Sequence, residues 1–203
     1  MSTKTSKKSP SSNFKIVNVR GTNGSGKSYL MRKFMEKYGA KPVYADSHAG
    51  ALVGDLIGYK CDFEGQPVYI IGRYNLPSGG CDNISTVGEI FDRVRKFAGK
   101  GHVIFEGMLL SGTYGPIHRL SQEFKKQGLG GIVFAPLDTT YEQAIKNIYA
   151  RSGGTPHGIK NVEKKHKSVI SSRKRAIEDG EHVVDIKYKK PLTTLCKILR
   201  GEL

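Results

Sequence analysis

The residues from Gly21 to Ser28 have the types and the spacing of a phosphate-binding loop. They read GTNGSGKS and match the pattern GxxxxGK[ST] at every position. A short apolar run, FKIVNVR, precedes them, and the apolar residues that follow recur at helical spacing. A strand, a glycine-rich loop and a helix in this order let backbone N–H groups and the positive end of a helix surround phosphate groups. The motif therefore predicts a nucleotide site rather than a loop without function.

Each part of this loop has a predicted task in binding ATP with Mg²⁺. Lys27 is expected to bridge the β- and γ-phosphate oxygens, and Ser28 is expected to ligate the magnesium. Backbone amides supply the remaining phosphate contacts, and the residues that provide them are Gly21, Thr22, Asn23, Gly24, Ser25 and Gly26. The motif favours a phosphoryl-transfer enzyme with ATP and Mg²⁺ as cofactors.

Two acidic residues follow predicted strands, so their side chains belong to the edge of the sheet where the phosphates bind. Glu106 ends the apolar run HVIFE and is predicted to lie beside the magnesium and its waters. A surface carboxylate next to a helix cap is the alternative for Glu106. Asp46 follows the run VYA and can face the acceptor, or it can be a turn residue. Residue types leave open which carboxylate acts as base and which holds metal.

The surroundings of Asp46 resemble the polynucleotide-kinase-like branch of small P-loop kinases. The resemblance implies that Asp46 accepts the proton of the acceptor hydroxyl, chiefly by orienting that hydroxyl. The segment LDTTYEQAIKNIYARS is similar to the segment before the lid of such kinases, which implies that Arg151 stabilises charge on the transferred phosphoryl group. An ordinary cation at a helix C-terminus is the alternative. Arg173 and Arg175 are weaker candidates for the same task.

Residues 72–84, GRYNLPSGGCDNI, are not needed to bind ATP. They resemble the bacteriophage kinases that phosphorylate 5-hydroxymethyluracil within DNA, a step toward hypermodified thymidines. The resemblance extends over the chain after Asn13, but this segment is its discriminating part. It implies an acceptor loop whose substrate-binding residues are Arg73, Tyr74, Gly79, Gly80 and Asp82.

Residue types suggest tasks for this loop. Asp82 can accept from the uracil N3–H group, Gly79 and Gly80 allow close approach of the base, and the Tyr74 ring can stack on it. Because a base inside a duplex is stacked, the target nucleotide is expected to be flipped out. The alternative is a tight Gly-Gly turn capped by Asp82, with no contact to substrate.

Strands that alternate with helices predict an α/β, three-layer P-loop kinase fold with a mostly parallel sheet. The runs LIGYKCDF and PVYIIGRY flank Glu64-Gly65-Gln66 and predict a hairpin. Residues 1–13 are predicted to be a disordered basic tail and residues 14–203 one kinase domain. A mobile lid is expected at about 151–175.

The charge of the chain favours a polyanionic partner, for which DNA containing 5-hydroxymethyluracil is the expectation. The formal net charge is +15, and residues 160–175 contain seven basic residues and one acidic residue. A solvated helical face is the alternative for that stretch. Three widely spaced cysteines and the lack of a long apolar run predict a soluble protein of the cytoplasm, with no membrane contact.

Several other activities remain compatible with the sequence. A polynucleotide 5′-hydroxyl kinase and a nucleoside or nucleotide kinase would use the same Asp46 chemistry. A DNA-stimulated ATPase without an acceptor would need only the phosphate-binding loop. A GTPase is disfavoured because the chain has no NKxD-like segment for guanine.

Overall fold

The computed structural model describes residues 14–45, 55–75, 79–152 and 161–203 of the chain. The strands within these ranges are β1 (Ile16–Arg20), β2 (Lys41–Tyr44), β3 (Leu56–Phe63), β4 (Gln66–Ile71), β5 (His102–Glu106), β6 (Ile132–Asp138), β7 (His182–Val183) and β8 (Ile186–Lys187). The helices are α1 (Lys27–Lys37), α2 (Val87–Phe97), α3 (Met108–Gly112), α4 (Gly115–Lys126), α5 (Tyr141–Arg151), α6 (Val162–Glu178) and α7 (Pro191–Arg200), with one turn of 3-10 helix over Gly80–Asn83.

The strands form a mostly parallel sheet, as the alternation of strands and helices predicts. The order of strands is β2-β3-β4-β5-β1-β6-β7, and β8 also pairs with β6. β1 lies between β5 and β6 and is parallel to both. The antiparallel pairs are those that β3 makes with β2 and β4. The carboxyl ends of β1 and β5 therefore meet at one edge of the sheet, where ligands bind in open α/β folds.

Helices cover both faces of the sheet, which confirms the three-layer prediction. Alternate residues of β1 point to opposite faces, so Val17 and Ile16 belong to different hydrophobic clusters. The cluster of Val17 includes Phe34 of α1 and Leu195 of α7. The cluster of Ile16 includes residues from α2, α4 and α6, namely Ile90, Val94, Ile117, Phe124 and Ala176. Burial on both faces explains why β1 and β5 are continuous apolar runs.

The hairpin predicted around Glu64 is confirmed. β3 and β4 are joined by Glu64 and Gly65, whose φ values of 56° and 82° give the positive φ at both positions that a tight hairpin turn needs. The hairpin also inserts β3 between β2 and β4. The end of β2 is consequently four strand positions from β1, about 19 Å along the sheet.

Threonine side chains cap two helices. The sequence TTYEQAIKNIYAR predicts a helix that begins with a threonine cap after Asp138, and the Thr140 hydroxyl accepts from Gln143 N at 3.2 Å at the start of α5. Thr86 caps α2 in the same way. Two details differ from the sequence prediction. The short helix α3 was not predicted, and the run HVVDIKY, whose apolar pattern predicts one strand, forms β7 and β8. Asp185 lies between these two strands, and its carboxylate accepts two hydrogen bonds from Arg173, at 2.8 and 2.7 Å.

The predicted lid at 151–175 overlaps α6, which is anchored to the rest of the molecule. Val162 and Ala176 are fully buried, so this helix packs along most of its length. The residues between α5 and Asn161, apart from Ser152, lie outside the described ranges, as does the predicted tail at 1–13. Within the ranges that the structure describes, we find no helix with the length and apolar character that a membrane crossing requires.

Candidate phosphoryl-transfer site

The phosphate-binding loop connects the buried end of β1 to the start of α1. Gly24 and Gly26 have φ values of 74° and 97°, a conformation that residues with a side chain rarely adopt. A Cβ atom on Gly24 would lie 2.2 Å from the carbonyl oxygen of Ala144 in α5. Asn147 Nδ2 donates to Gly24 O at 2.7 Å, so α5 fixes the loop from outside. Contacts with α5 therefore help to fix the shape of the loop.

The Lys27 side chain folds back and binds backbone carbonyl groups at the start of the loop. The Lys27 Nζ atom donates to Gly21 O at 2.8 Å and to Thr22 O at 3.1 Å. Burial lowers the pKa of Lys27, and the charges of Glu106 and Asp82 oppose this effect. An ammonium group held by neutral carbonyls is ready to exchange them for phosphate oxygens, which are better partners for a cation.

Positive charge from two other helices also reaches Lys27. Arg151 at the end of α5 and Lys165 in α6 both lower the pKa of Lys27. The Lys165 Nζ atom lies 2.7 Å from the sulfur of Met108, at the start of α3. Arg151 was predicted as a site residue, whereas Lys165 was not singled out from its basic run. Only the packing of α6 on α3 brings Lys165 here.

Glu106 and Ser28 form the pair expected to hold magnesium. β5 is paired with β1 so that Glu106 lies opposite Val19, two residues before the loop. The Ser28 hydroxyl donates to Glu106 Oε1 at 2.8 Å. Glu106 Oε2 is buried and makes no hydrogen bond of regular geometry among the described residues, although the nearby Tyr74 hydroxyl lowers the pKa of Glu106. Burial raises the pKa of Glu106, and the nearby charge of Lys27 and the bond from Ser28 oppose that rise.

A magnesium ion fits this pair of residues. An orphaned carboxylate oxygen beside a hydroxyl offers the hard oxygen ligands that Mg²⁺ prefers, and phosphates and waters supply the others in kinase sites. Within the described ranges no three acidic, histidine or cysteine side chains cluster as a metal site of their own.

The discriminating segment around Gly79 packs directly on the Ser28–Glu106 pair. Arg73 and Gly80 exchange two backbone hydrogen bonds of 2.9 Å, which fold the segment back onto the end of β4. A Cβ atom on Gly80 would lie 2.4 Å from Glu106 Oε1, and one on Gly79 would lie 3.2 Å from the Ser28 Cβ atom. Glycine is needed at these two positions because side chains already occupy the space.

Asp82 lies beside the same pair and is held by α3. Its Oδ1 atom accepts from the backbone N–H of Met108 at 2.7 Å. The Asp82 side chain is exposed, so the carboxylate can face a substrate. The negative charge of Asp82, like that of Glu106, raises the pKa of Lys27. Asp82 therefore lies close to the phosphate-binding loop.

Tyr74 is buried and Arg73 lies near an acidic residue, so neither side chain is a free, exposed contact for a substrate. The Tyr74 side chain is 7% exposed, and its ring lies edge to face with Tyr59 at 6.0 Å. Burial and the charge of Glu106 raise the pKa of Tyr74 well above its ordinary range, and its hydroxyl forms no regular hydrogen bond within the described residues. The Arg73 guanidinium lies 3.8 Å from Asp55. The structure does not present the Tyr74 ring to solvent, where the stacking hypothesis expected it.

The remaining predicted residues have mixed outcomes. Asp46 lies outside the described residues, and its role stays a prediction. Arg173 is engaged by Asp185, as described above, while Arg175 lines a groove beside α4. The roles assigned to Arg151 and to the loop residues also stay predictions, although their positions suit them.

A phosphate-binding loop at the end of β1, with a buried acidic residue at the end of the neighbouring strand, defines the P-loop class of nucleotide-dependent phosphotransferases. Comparisons with known proteins agree. The chain is 31% identical over 195 residues to the 5-hmdU DNA kinase of Pseudomonas phage M6, covering 92% of this chain and 98% of that protein. The chain belongs to the family of 5-hmdU DNA kinases, which confirms the resemblance drawn from residues 72–84.

Other relatives carry the same description. The 5-hmdU DNA kinase of Pseudomonas phage PaMx11 is 30% identical over 179 residues, 84% of this chain and 89% of the relative. That of Delftia phage PhiW-14 is 23% identical over 208 residues, 88% and 74% of the respective chains. No model of a protein family matches the chain. A solved chain from a study of the PezAT toxin-antitoxin system of Streptococcus pneumoniae aligns with a TM-score of 0.48 and 14% identity, over 95% of this chain and 79% of that one.

Proposed function

We propose that this protein transfers the γ-phosphoryl group of ATP to the hydroxymethyl group of 5-hydroxymethyluracil in DNA. The observation that carries the proposal is the contact of Gly79 and Gly80 with Ser28 and Glu106. The segment that distinguishes this family thus lies against the pair expected to hold the metal and the phosphates. An acceptor held by this segment would be next to the γ-phosphate.

ATP and Mg²⁺ are the proposed cofactors. Ser28 and Glu106 would hold the metal, which neutralises charge on the β- and γ-phosphates when bound. Lys27 would leave the carbonyl oxygens of Gly21 and Thr22 and donate to phosphate oxygens. Arg151 adds positive charge where the transferred group develops negative charge, as preorganised cations do in phosphoryl transfer.

A carboxylate is proposed to orient the acceptor hydroxyl. The hydroxymethyl oxygen forms the new bond to phosphorus, the bond from phosphorus to the ADP oxygen breaks, and the hydroxyl proton passes to the carboxylate. Asp46 is the proposed base. Asp82 is an exposed carboxylate close to the phosphate loop. Its proposed role is to accept a hydrogen bond from the uracil N3–H group.

The modified base is proposed to enter the site outside the DNA stack. Flipping a nucleotide costs a few kcal/mol, and backbone phosphate contacts offset that cost. Because Gly79 and Gly80 lie against Ser28 and Glu106, a base held by this segment is proposed to lie close to the metal site. The buried Tyr74 ring would form part of the wall of this site rather than a free stacking surface.

A labelling experiment tests the proposal. The protein is incubated with ATP labelled at the γ-phosphate in three separate reactions. Each contains one acceptor: DNA with internal 5-hydroxymethyluracil, unmodified DNA with 5′-hydroxyl ends, or the free nucleoside. We expect label on internal 5-hydroxymethyluracil alone. Label on 5′ ends would identify a polynucleotide 5′-hydroxyl kinase, and label on the free nucleoside would remove DNA from the proposal. ATP hydrolysis without any labelled acceptor would leave only an ATPase.

A further inference from the structure

A basic groove runs between α6 and the start of α4, beside the phosphoryl-transfer site. Its volume is about 630 Å³. Of the residues that line it, three are lysine or arginine, three are serine and one is acidic, and the full set is Gly112, Tyr114, Gly115, Glu163, Lys164, Lys167, Ser168, Ser171, Ser172 and Arg175. A groove lined mainly by cations and hydroxyl groups is suited to bind phosphates.

The cations of this groove are less neutralised than those on the opposite side of α6. Arg173 points away from the groove and forms a two-bond ion pair with Asp185. Lys167 in the groove is paired with Glu163 at 2.6 Å. Lys164 and Arg175 form no ion pair with any residue in the part of the chain that the structure describes. Two exposed cations in the groove are therefore available to an anionic partner.

A buried arginine adds positive charge beneath the groove. Arg20, at the end of β1, is 1% exposed, and its guanidinium donates to Ser172 Oγ at 2.5 Å and to the carbonyl oxygens of Ser111 and Thr113 at 2.7 and 3.0 Å. Burial lowers the pKa of Arg20 to about 10, so it stays charged at neutral pH. All the partners of its guanidinium among the described residues are neutral, Asn18 included. Its charge is consequently felt at the groove floor.

The N-terminus of α4 also adds partial positive charge to the groove. α4 has twelve residues, its cap residue Tyr114 makes no side-chain capping bond, and Gly115 lines the groove. The free N–H groups of a helix N-terminus carry partial positive charge that attracts anions. The Tyr114 hydroxyl donates to Asp179 at 2.6 Å, so one further carboxylate lies at this side of the groove.

The groove continues from the phosphoryl-transfer site through α3. Met108 at the start of α3 contacts Asp82 and Lys165, and Gly112 at its end lines the groove. The five residues of α3 span about 7.5 Å. From Lys164 to Arg175 the α6 side of the groove extends about 16 Å, roughly the axial length of five nucleotides of one B-form strand.

We propose that this groove binds the phosphate backbone of the DNA strand next to the target nucleotide. The inference rests on the proposed function, from which it takes DNA as the substrate. Lys164 and Arg175 contact phosphates, and Ser171 and the N–H group of Gly115 at the start of α4 donate hydrogen bonds to them. Such contacts position the DNA without reading its sequence. They also offset the cost of moving the target base out of the stack.

The test measures DNA binding apart from phosphoryl transfer. Affinities for an unmodified oligonucleotide are measured without ATP over a range of salt concentrations, for the wild type, for Lys164→Gln/Arg175→Gln, and for the control Lys37→Gln/Lys197→Gln. The control removes the same charge from exposed positions on α1 and α7, across the sheet from the groove. Because each lost phosphate contact reduces the salt slope by about 0.9, we expect a reduction of about 1.8 in the groove variant and little change in the control.

Activity assays with DNA that contains 5-hydroxymethyluracil extend the test. We expect the groove variant to raise the KM for DNA by about tenfold or more, with the KM for ATP unchanged. A single variant, Ser171→Glu, should weaken DNA binding by adding negative charge to the groove. Equal salt slopes in the groove variant and the control, or wild-type affinity in Ser171→Glu, would overturn the inference. Reduced binding by the groove variant, without labelling of 5-hydroxymethyluracil, would instead overturn the proposed function alone.

Discussion

The phosphate side and the acceptor side of this site differ in how far apart their parts lie in the sequence. The phosphate side is mainly the continuous loop from Gly21 to Ser28, completed by Glu106 from the neighbouring strand. The acceptor side brings together Gly79–Asp82, Met108 and the side chain of Lys165, each from a different element. Local backbone geometry builds the first, and the packing of distant elements builds the second.

This difference has a consequence for how each side tolerates change. A loop set by its own glycines and by α5 keeps its shape when a side chain is removed from it. The acceptor side depends on close contacts, such as the one between Gly80 and Glu106, that leave no room for an added methyl group. Removal of a side chain from the loop should therefore affect mainly chemistry, whereas a methyl group added at Gly24 or at Gly80 should also cost stability.

The largest expected effect is loss of the Lys27 ammonium group. Lys27→Ala should reduce phosphoryl transfer by about 10³- to 10⁵-fold, because the variant loses a cation that stabilises charge on the transferred group. The melting temperature should stay near that of the wild type. Lys33→Ala, an exposed lysine of the same helix paired with Glu36, serves as control and should keep full activity. Near-normal turnover by Lys27→Ala would contradict the role of the loop.

The two candidate carboxylates of the acceptor side can be separated by kinetics. Asp46→Asn should reduce kcat by about 10²- to 10⁴-fold with ATP affinity nearly intact, as expected for loss of a base. Asp82→Asn should chiefly raise the KM for DNA. Comparison of kcat and KM for both variants decides between the assignments, and the opposite pattern would make Asp82 the base.

The close packing of Gly80 on Glu106 can be isolated with a matched pair of glycines. Gly80 and Gly65 have φ values of 81° and 82°, but a Cβ atom on Gly65 would meet nothing within 4 Å. Both Gly→Ala variants should lose about 1 kcal/mol of stability from backbone strain, and Gly80→Ala should lose more because its Cβ atom would overlap Glu106. Only Gly80→Ala should lose about 10²-fold in kcat. The added methyl group would shift the Glu106 carboxylate, and a shift of about 1 Å is enough to misplace a metal ligand. Equal kcat values in the two variants would remove the contact from the mechanism.

The raised pKa of Glu106 predicts a dependence of magnesium binding on pH. Only the ionised carboxylate binds the metal, so the apparent Mg²⁺ affinity should fall as pH decreases toward that raised pKa. Glu106→Gln should weaken Mg²⁺ binding and abolish this dependence. Titrations of activity with Mg²⁺, repeated at a series of pH values from neutral to acidic for the wild type and for Glu106→Gln, provide the measurement.

The raised pKa of Glu106 also predicts how the stability of the ligand-free protein depends on pH. Because the folded state raises the pKa of Glu106, ionisation costs stability as pH rises through that pKa, whereas below the unfolded pKa the cost is absent. Glu106→Gln should therefore raise the melting temperature at neutral pH and leave it unchanged at low pH. A lower melting temperature at neutral pH would show that the carboxylate is stabilised by its partners instead.

The smallest expected effect is at Tyr74. Its hydroxyl is buried without a regular hydrogen bond, so Tyr74→Phe should change stability by less than about 1 kcal/mol and kcat by less than about threefold. Tyr74→Ala should instead cost about 3 to 5 kcal/mol, as for a core ring. A large loss of DNA affinity in Tyr74→Phe with unchanged melting temperature would restore a direct role in recognition.

Short-range patterns were sufficient for much of this molecule. The phosphate loop, the hairpin at Glu64, the Thr140 cap and the alternation of strands and helices follow from spacing and residue type, which act within a few positions along the chain. The strand end that carries Glu106 was also predictable, since a continuous apolar run followed by an acidic residue indicates a central strand that ends at the ligand edge. The family was indicated by the resemblance of residues 72–84 to the bacteriophage kinases.

Other features depended on tertiary structure. The burial of Tyr74, the short helix α3 that holds Asp82, the approach of Lys165 to the phosphate site and the neutral partners of Arg20 all join residues far apart in the sequence. Residue type alone could not indicate them, because a tyrosine near a glycine turn suits a surface and a core equally well. The sequence by itself determined which groups can do chemistry, whereas packing of α6 and α3 against the sheet decided which of them meet, because burial and distance depend on all the elements together.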